Sequence, residues 1–244
     1  MRPVLVYPII STEACANAVR ILHRQGIRTI DHPAPEITHL LLDVPSFADG
    51  GHLRDGGRIE GILERIPGDV TVVGGNLNHP GLDAYNKYDL LQDETYLAQN
   101  AAITADCALQ VAAPMLKTAF RDTPTLILGW GRIGKCLAAM LKALGAPVTV
   151  AARKESDRAM LTALGYSAVD FDSLPGCSLL FNTVPGQDYR IHSICVKIDL
   201  ASQKSISAED VIWARGLPGV YAPVSSGALI AETILRLCRK EEIP

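Results

Sequence analysis

The chain predicts an α/β protein with parallel sheets in two domains, and three observations carry that reading. Short apolar runs alternate with helical apolar spacing along almost all of it, the pattern of strands that return through helices. From Asp93 onward no strong breaker intervenes until Pro114, and alanine and leucine abound, which reads as one long linking helix. Beyond it a run of β-favouring residues leads straight into Gly129-Trp-Gly131-Arg-Ile-Gly134, followed by a second helical pattern.

Taken in order, Val4–Ile10 reads as a buried strand and Glu13–Gln25 as a helix closed by Gly26. That helix has Ala14, Ala18, Ile21 and Leu22 near helical spacing. His39–Val44 is a second strand, Ile59–Ile66 a short helix and Val70–Val73 a third strand. Phe47–Gly57, with four glycines, two aspartates and His52, is a surface loop, either a lid or a plain connector. These pieces make a small flavodoxin-like α/β domain over residues 1–92. Residues 93–244 hold the linking helix, Glu94 to about Ala112, and a second α/β domain.

The whole-chain balance narrows the function classes. In 244 residues there is room for two cores, net charge is −3, and no block of like charge runs along the chain. Neither a nucleic-acid nor a membrane partner is suggested. The apolar first ten residues are interrupted by Pro3 and Pro8 and are too short to span a bilayer. The six cysteines are scattered, with no C-x-x-C pair and no histidine at ligand spacing. They read as reduced, mostly buried thiols of a cytoplasmic protein, with no metal site.

Chemistry is concentrated where the second domain opens. Thr125–Leu128 is a strand, the three glycines follow at once, and Leu137, Met140, Leu141 and Leu144 lie on one face of the next helix. In a strand–turn–helix unit the glycines give a tight turn, close approach to a pyrophosphate, and close helix–strand packing. The helix start adds free N–H groups and the positive end of its dipole. This is the Rossmann arrangement for a pyridine dinucleotide. The next strand, Val148–Ala152, ends at Arg153-Lys154, where an NAD site carries an acid for the ribose 2′-hydroxyl. Two cations there suit a 2′-phosphate, so NADP is expected in preference to NAD.

Two further strands bring polar residues to their carboxyl ends: Leu179–Pro185 with Asn182 and Thr183, and Val196–Ser202 with Asp199 and Ser202. Asp199 reads equally as a ligand group or as an acceptor for neighbouring backbone N–H groups. Only eight residues separate Ser202 from Val211, short for a crossover that normally contains a helix. Either that helix is missing or Val211–Ala214 is not a regular strand. Gly216-Leu-Pro-Gly219 and Pro223 read as a rigid turn, and Ser225-Ser226-Gly227 as the start of the last helix, with the serines as caps.

With these residues in view the chain resembles the family of the dipicolinate synthase A component, a relative of the 2-hydroxyacid dehydrogenases. The likeness spans roughly Tyr88 to Glu232. It is carried by Leu90–Asp106, Gly129–Gly134, Val150-Ala-Ala-Arg153, Asn182-Thr-Val-Pro185, Ile198-Asp-Leu-Ala-Ser202 and Gly216-Leu-Pro-Gly-Val-Tyr-Ala-Pro223. It implies NADP-dependent oxidation of a dihydro- or hydroxytetrahydro-dipicolinate in the cytoplasm of a spore-forming bacterium. A homo-oligomer is expected with it, as is a flavoprotein-like second subunit. The implied cofactor set is Gly129, Trp130, Gly131, Arg132, Ile133, Gly134, Arg153, Lys154, Asn182, Thr183, Val184, Pro185, Leu200, Ala201 and Ser202. For a small anionic substrate in a cleft between the domains the residues are Asn100, Thr104, Arg215, Pro223, Ser225 and Ser226. Asp106, where the family has glutamate, is the acid/base candidate.

The chain departs from the family in places. Ile9-Ile-Ser-Thr12 replaces a Gly-Gly-Asp turn, Gln203-Lys204-Ser205 replaces a basic Pro-Gly-Gly loop, and Val224 stands where the family has lysine. Two cations suited to a dicarboxylate are therefore missing. A standard 2-hydroxyacid dehydrogenase is disfavoured, because the last histidine, His192, comes too early and Gln203 holds the place of the substrate arginine. The alternative is a non-catalytic NAD(P)-binding regulatory or degenerate paralogue.

Overall fold

Two parallel sheets, each flanked by helices, make up the computed structural model, which describes residues 3–48, 50–186, 189 and 194–241. The chain divides into two compact units, Met1–Asn100 with Pro218–Pro244, and Ala101–Leu217.

In the first unit β1 (Leu5–Ile9) is followed by α1 (Glu13–Arg24), which Thr12 caps and after which Gly26 turns at φ +82. The sheet continues through β2 (Arg28–Thr29), β3 (His39–Leu42), β4 (Thr71–Gly74) and β5 (Asn86–Asp89), with the short α2 (Glu60–Leu63) before β4. Its order is β2-β1-β3-β4-β5, all parallel, the flavodoxin-like order. The two strands that the sequence does not announce, β2 and β5, are the edges. One has two residues and the other reads Asn-Lys-Tyr-Asp, so neither shows an apolar run. The glycine-rich loop is tied down: Phe47 bridges Leu53, which is buried in the core, and stacks on His79 at 4.7 Å.

The last helix, α7 (Pro223–Glu241), belongs to this unit and not to the dinucleotide-binding half in which the sequence placed it. The reason is close packing on α1. A Cβ on Gly227 would stand 2.5 Å from the Ala14 carbonyl oxygen and from Asn17 Cβ, so only glycine lets the two helices approach this far. Ala14, Ala18 and Leu22 meet a face containing Leu229, Ile230, Thr233 and Ile234, all buried. Arg236 then grips both oxygens of Asp93 at 2.9 Å. Burial works against ionisation of Asp93. The Arg236 guanidinium, the Tyr88 hydroxyl and the Tyr96 N–H outweigh it and hold the carboxyl well below the usual carboxylate range.

The long helix α3 (Glu94–Ala112) has the expected bounds and runs from the first unit into the second. There β6 (Thr125–Leu128), α4 (Arg132–Ala143), β7 (Val148–Ala151), α5 (Glu155–Ala163), β8 (Ser167–Val169), β9 (Leu179–Asn182), β10 (Val196–Asp199) and β11 (Val211–Trp213) form a parallel sheet in the order β11-β10-β9-β6-β7-β8. Counted within the unit this is 6-5-4-1-2-3, the Rossmann order, whose switch point lies between β6 and β9. On α4, Leu137, Ala138 and Leu141 are buried, whereas Leu144, expected on that face, is 47% exposed at the helix end. The sequence pattern did not reveal α5 and β8, the latter only three residues long.

The short β10–β11 connection is a crossover without a helix. β11 pairs with β10 in parallel register, Asp199 opposite Trp213. In place of packing helix on sheet, the connection hangs on one carboxylate: Asp199 accepts from Ala201 N at 3.0 Å and Ser205 N at 2.7 Å. The expected rigid turn at Gly216–Gly219 is instead a short helix, α6 (Leu217–Tyr221). Pro223 opens α7 two residues earlier than expected, because proline suits a first helical position. Ser225 and Ser226 thus lie in the first turn and do not cap it.

Candidate dinucleotide-binding site

Each glycine of the motif has a different physical constraint. Gly129 turns the chain off β6 at φ +103, and a Cβ there would sit 2.6 Å from Thr183 Oγ1 and 2.7 Å from Val184 Cγ2. Gly134 brings α4 against the turn, where a Cβ would collide with the Gly129 carbonyl oxygen. Gly131 is unlike both. Its φ is −82, open to any residue, and a Cβ there would meet nothing within 4 Å.

The open space beside Gly131 belongs to a cavity of about 300 Å³ lined by Gly129, Trp130, Gly131, Ala152, Arg153, Lys154, Asp157, Phe171, Thr183, Val184 and Pro185. It lies at the carboxyl ends of β6, β7 and β9, where open α/β sheets bind ligands. The motif supplies one wall, the end of β7 the second and the Thr183–Pro185 loop the third. Arg153 and Lys154 are exposed, and with Asp157 they leave the charged lining at +1. Arg158 donates to the carbonyl oxygens of Ala152 at 2.8 Å and Arg153 at 2.7 Å, fixing the backbone that carries the two cations. Phe171 stacks on Tyr189 at 5.2 Å.

Of the cofactor residues expected from sequence, eight line this cavity: Gly129, Trp130, Gly131, Arg153, Lys154, Thr183, Val184 and Pro185. Asn182 does not. It is fully buried, its amide donating to Asp199 Oδ1 at 2.8 Å and the Val184 carbonyl at 3.1 Å, while its own oxygen accepts from Val184 N. Asn182 and Asp199 therefore form a buried latch that shapes the loops on both sides, and Asp199 is a structural acceptor. Thr183 donates to the Leu128 carbonyl at 2.8 Å. Arg132, Ile133 and Gly134 lie in the first turn of α4. Leu200 and Ala201 are buried and Ser202 is exposed, all outside the cavity lining. Sequence reasoning missed Ala152, Asp157, Phe171 and Arg158. Placing α5 and β8 would have found them, since each follows a strand end.

The remaining candidates are spread along the chain. On α3, Asn100 and Thr104 are half-buried and about 40° apart by helical spacing, but Asp106 projects elsewhere, exposed, accepting from Gln110 at 3.3 Å. Arg215 is exposed, its guanidinium 5.3 Å from the Trp213 ring centroid. Pro223 and Ser225 lie at the start of α7, Ser225 exposed and Ser226 buried. His192 lies outside the described residues. Among the described residues no group of three or more His, Cys, Asp or Glu is placed to hold a metal, and no helix is long and apolar enough to cross a membrane.

Residues 95–198 match the family described as D-isomer specific 2-hydroxyacid dehydrogenase, NAD binding domain. The chain is an NAD(P)-dependent oxidoreductase. Its curated relative, the A component of dipicolinate synthase from Bacillus subtilis, is 26% identical over 198 residues, 72% of this chain and 67% of that protein. The crystal structure of the corresponding dipicolinate synthase component from Bacillus halodurans superposes with a TM-score of 0.84 at 20% identity, over 96% of this chain and 97% of that one. The transhydrogenase from Sinorhizobium meliloti shares the fold more distantly, TM-score 0.68 at 12% identity, over 97% and 94%. The resemblance read from the motifs thus holds, and so does the fold class. A nicotinamide dinucleotide fits what the residues offer: a lined cavity and, on its wall, a glycine beside which an added Cβ would meet nothing within 4 Å.

Proposed function

We propose that the chain is an NADP-dependent oxidoreductase that oxidises a dihydro- or hydroxytetrahydro-dipicolinate-like small dicarboxylate. The observation that carries the reading is the single cavity shared by Gly131 and by Arg153-Lys154. It joins a pyrophosphate-sized approach to two cations where an NAD site has an acid. The 26% identical relative, a component of dipicolinate synthase, supports the substrate class.

A bound nicotinamide would supply the hydride acceptor. Gly129, Gly131 and the first turn of α4 would hold the pyrophosphate through backbone N–H groups. Arg153 would pair with the 2′-phosphate in a forked contact, and Phe171 offers a ring face for a base. Asn182 and Asp199 act one step back, holding Thr183–Pro185 in place. For the substrate, Asn100, Thr104, Pro223, Ser225 and Ser226 are the proposed polar and shape-determining groups. Arg215 supplies positive charge in place of the cations lost at Gln203 and Val224. Asp106 is proposed to take the proton released as hydride leaves; it stands on another face of α3 from Asn100 and Thr104, so only part of this set meets one substrate. Its present partner, Gln110, is weak enough at 3.3 Å to be displaced. A flavoprotein-like second subunit is the proposed partner.

The test is turnover. NADP mixed with freshly made dihydrodipicolinate and the protein should raise the absorbance of NADPH, and Asp106→Asn should slow that rate by roughly a hundredfold or more with cofactor affinity unchanged. Cofactor binding with no NADPH formation would favour a regulatory NAD(P)-binding protein. A rate untouched by Asp106→Asn would remove Asp106 from the reaction.

A further inference from the structure

At the opposite end of the second sheet from the dinucleotide cavity stands a group of residues that the oxidoreductase reading does not use. Cys177 lies two residues before β9 and Cys195 directly before β10. These strands are parallel neighbours in which Leu179 pairs with Val196, and Val196 N donates to the Ser178 carbonyl at 3.0 Å. Both side chains pack against one core cluster that includes Leu180 and Ile206, the Cys177 thiol hydrogen-bonded to Cys195. Lys197 follows two residues later. Its ammonium is buried, pairs with Asp210 at 2.8 Å and reaches the Cys195 carbonyl at 3.4 Å. Both thiols are half-exposed, and Gly176, Ser178 and Ile194 beside them are exposed, so a small reagent can reach them. By contrast Cys15, Cys107 and Cys238 are buried.

We propose that Cys177 and Cys195 form a reactive dithiol that closes to an intramolecular disulfide by exchange with a low-molecular-weight disulfide. In the first step the Cys195 thiolate attacks one sulfur of the reagent, forming a mixed disulfide and releasing one thiolate. Cys177 then gives up its proton and attacks Cys195 Sγ, expelling the second thiolate, which takes up that proton. One disulfide is reduced to two thiols while two protein thiols are oxidised to one bridge. The positions allow the bridge: adjacent backbones bring the Cα atoms within the separation a disulfide spans, and both side chains pack against one core cluster instead of alternating to opposite faces.

The environment divides the roles. The hydrogen bond from Cys177, aided by the Lys197 ammonium and opposed by burial and Asp210, brings Cys195 down to about 7. The same contact, with burial, pushes Cys177 up. Cys195 is therefore the attacking thiol and Cys177 the resolving one. The loop so closed contains β9 and the Thr183–Pro185 wall of the cavity, and both cysteines pack against the core cluster that includes Leu180 and Val184.

The experiment treats the full chain with oxidised glutathione and maps the cysteines by peptide mass. The expected product in the parent is a Cys177–Cys195 bridge, with Cys136, the half-exposed cysteine on α4, left free or more slowly modified. Cys177→Ser should trap glutathione on Cys195, and Cys195→Ser should leave Cys177 unmodified. At pH 7 Cys195 in a Cys177→Ala background loses its acidifying donor, so the parent should be alkylated by iodoacetamide faster than that variant and roughly fivefold faster than an ordinary thiol. Both thiols remaining free in the parent would overturn the proposal. So would a mixed disulfide at Cys195 that persists without closing, or the absence of a trapped adduct in Cys177→Ser. Each of these outcomes is read without cofactor or substrate, so it stands apart from the oxidoreductase reading.

Discussion

Replacing Gly131 by valine separates ligand binding from folding more cleanly than any other change in the motif. The backbone at Gly131 is in a region every residue adopts, and the added Cβ meets no protein atom within 4 Å. The fold should lose only what a β-branched residue costs at a helix N-cap, about 1 kcal/mol or less. The same side chain would fill the cavity where a pyrophosphate must come close. Cofactor affinity should fall by roughly a hundredfold or more, about 2.8 kcal/mol. Gly134→Val is the counterpart, since there the added atoms collide with the Gly129 carbonyl. It should destabilise the protein by more than about 3 kcal/mol before any cofactor is added. Thermal unfolding and calorimetric titration with NADP on both variants distinguish the two modes of failure. Unchanged NADP affinity in Gly131→Val would mean the phosphates sit elsewhere, and equal unfolding of both variants would refute the account of the glycines.

Other expectations follow from the buried polar groups. Asp199→Ala leaves Ala201 N, Ser205 N and the Asn182 amide without their acceptor. It should destabilise the protein by about 3 kcal/mol or more while also weakening cofactor binding, measured by denaturant unfolding and titration. Arg236→Ala strands the Asp93 carboxylate, whose side chain is 11% exposed, and should cost about 3 kcal/mol at pH 7. Because the folded Asp93 carboxyl is held below its unfolded value of about 3.9, this stabilisation is complete above that value and fades as pH falls toward the folded one. Unfolding at pH 7 and at pH 3 should show the parent losing much of its advantage over Arg236→Ala, and a constant gap would refute the pairing.

Much of this was legible in the sequence, and what was not has physical causes. The strand–glycine–helix unit and the cations at Arg153-Lys154 depend on local spacing, which a sequence displays directly. The linking helix announced itself by the lack of breakers between Asp93 and Pro114. The placement of α7 on α1 did not, because it rests on a long-range fit between Gly227 and Ala14, Asn17 and Ala18, all of them unremarkable in isolation. Asn182 looked like a ligand group because it ends a strand, yet a polar residue at that point can turn inward as readily as outward. Only the position of Asp199 on the neighbouring strand decides it. The cavity residues Asp157 and Phe171 stayed hidden with α5 and β8, whose short, mixed sequences carry no clear period. The thiol pair was invisible for a similar reason: eighteen positions separate Cys177 from Cys195, and only the pairing of β9 with β10 and a shared core cluster bring them together.

The most direct measurement is a calorimetric titration of the parent and of Arg153→Asp with NADP and with NAD. The parent should bind NADP roughly tenfold more tightly or better, about 1.4 kcal/mol, through the charged contact at Arg153. Arg153→Asp should reverse the order, since the 2′-phosphate then meets a like charge and the ribose hydroxyls gain an acceptor. Equal affinities for the two cofactors in the parent, or a preference that Arg153→Asp leaves in place, would contradict the account.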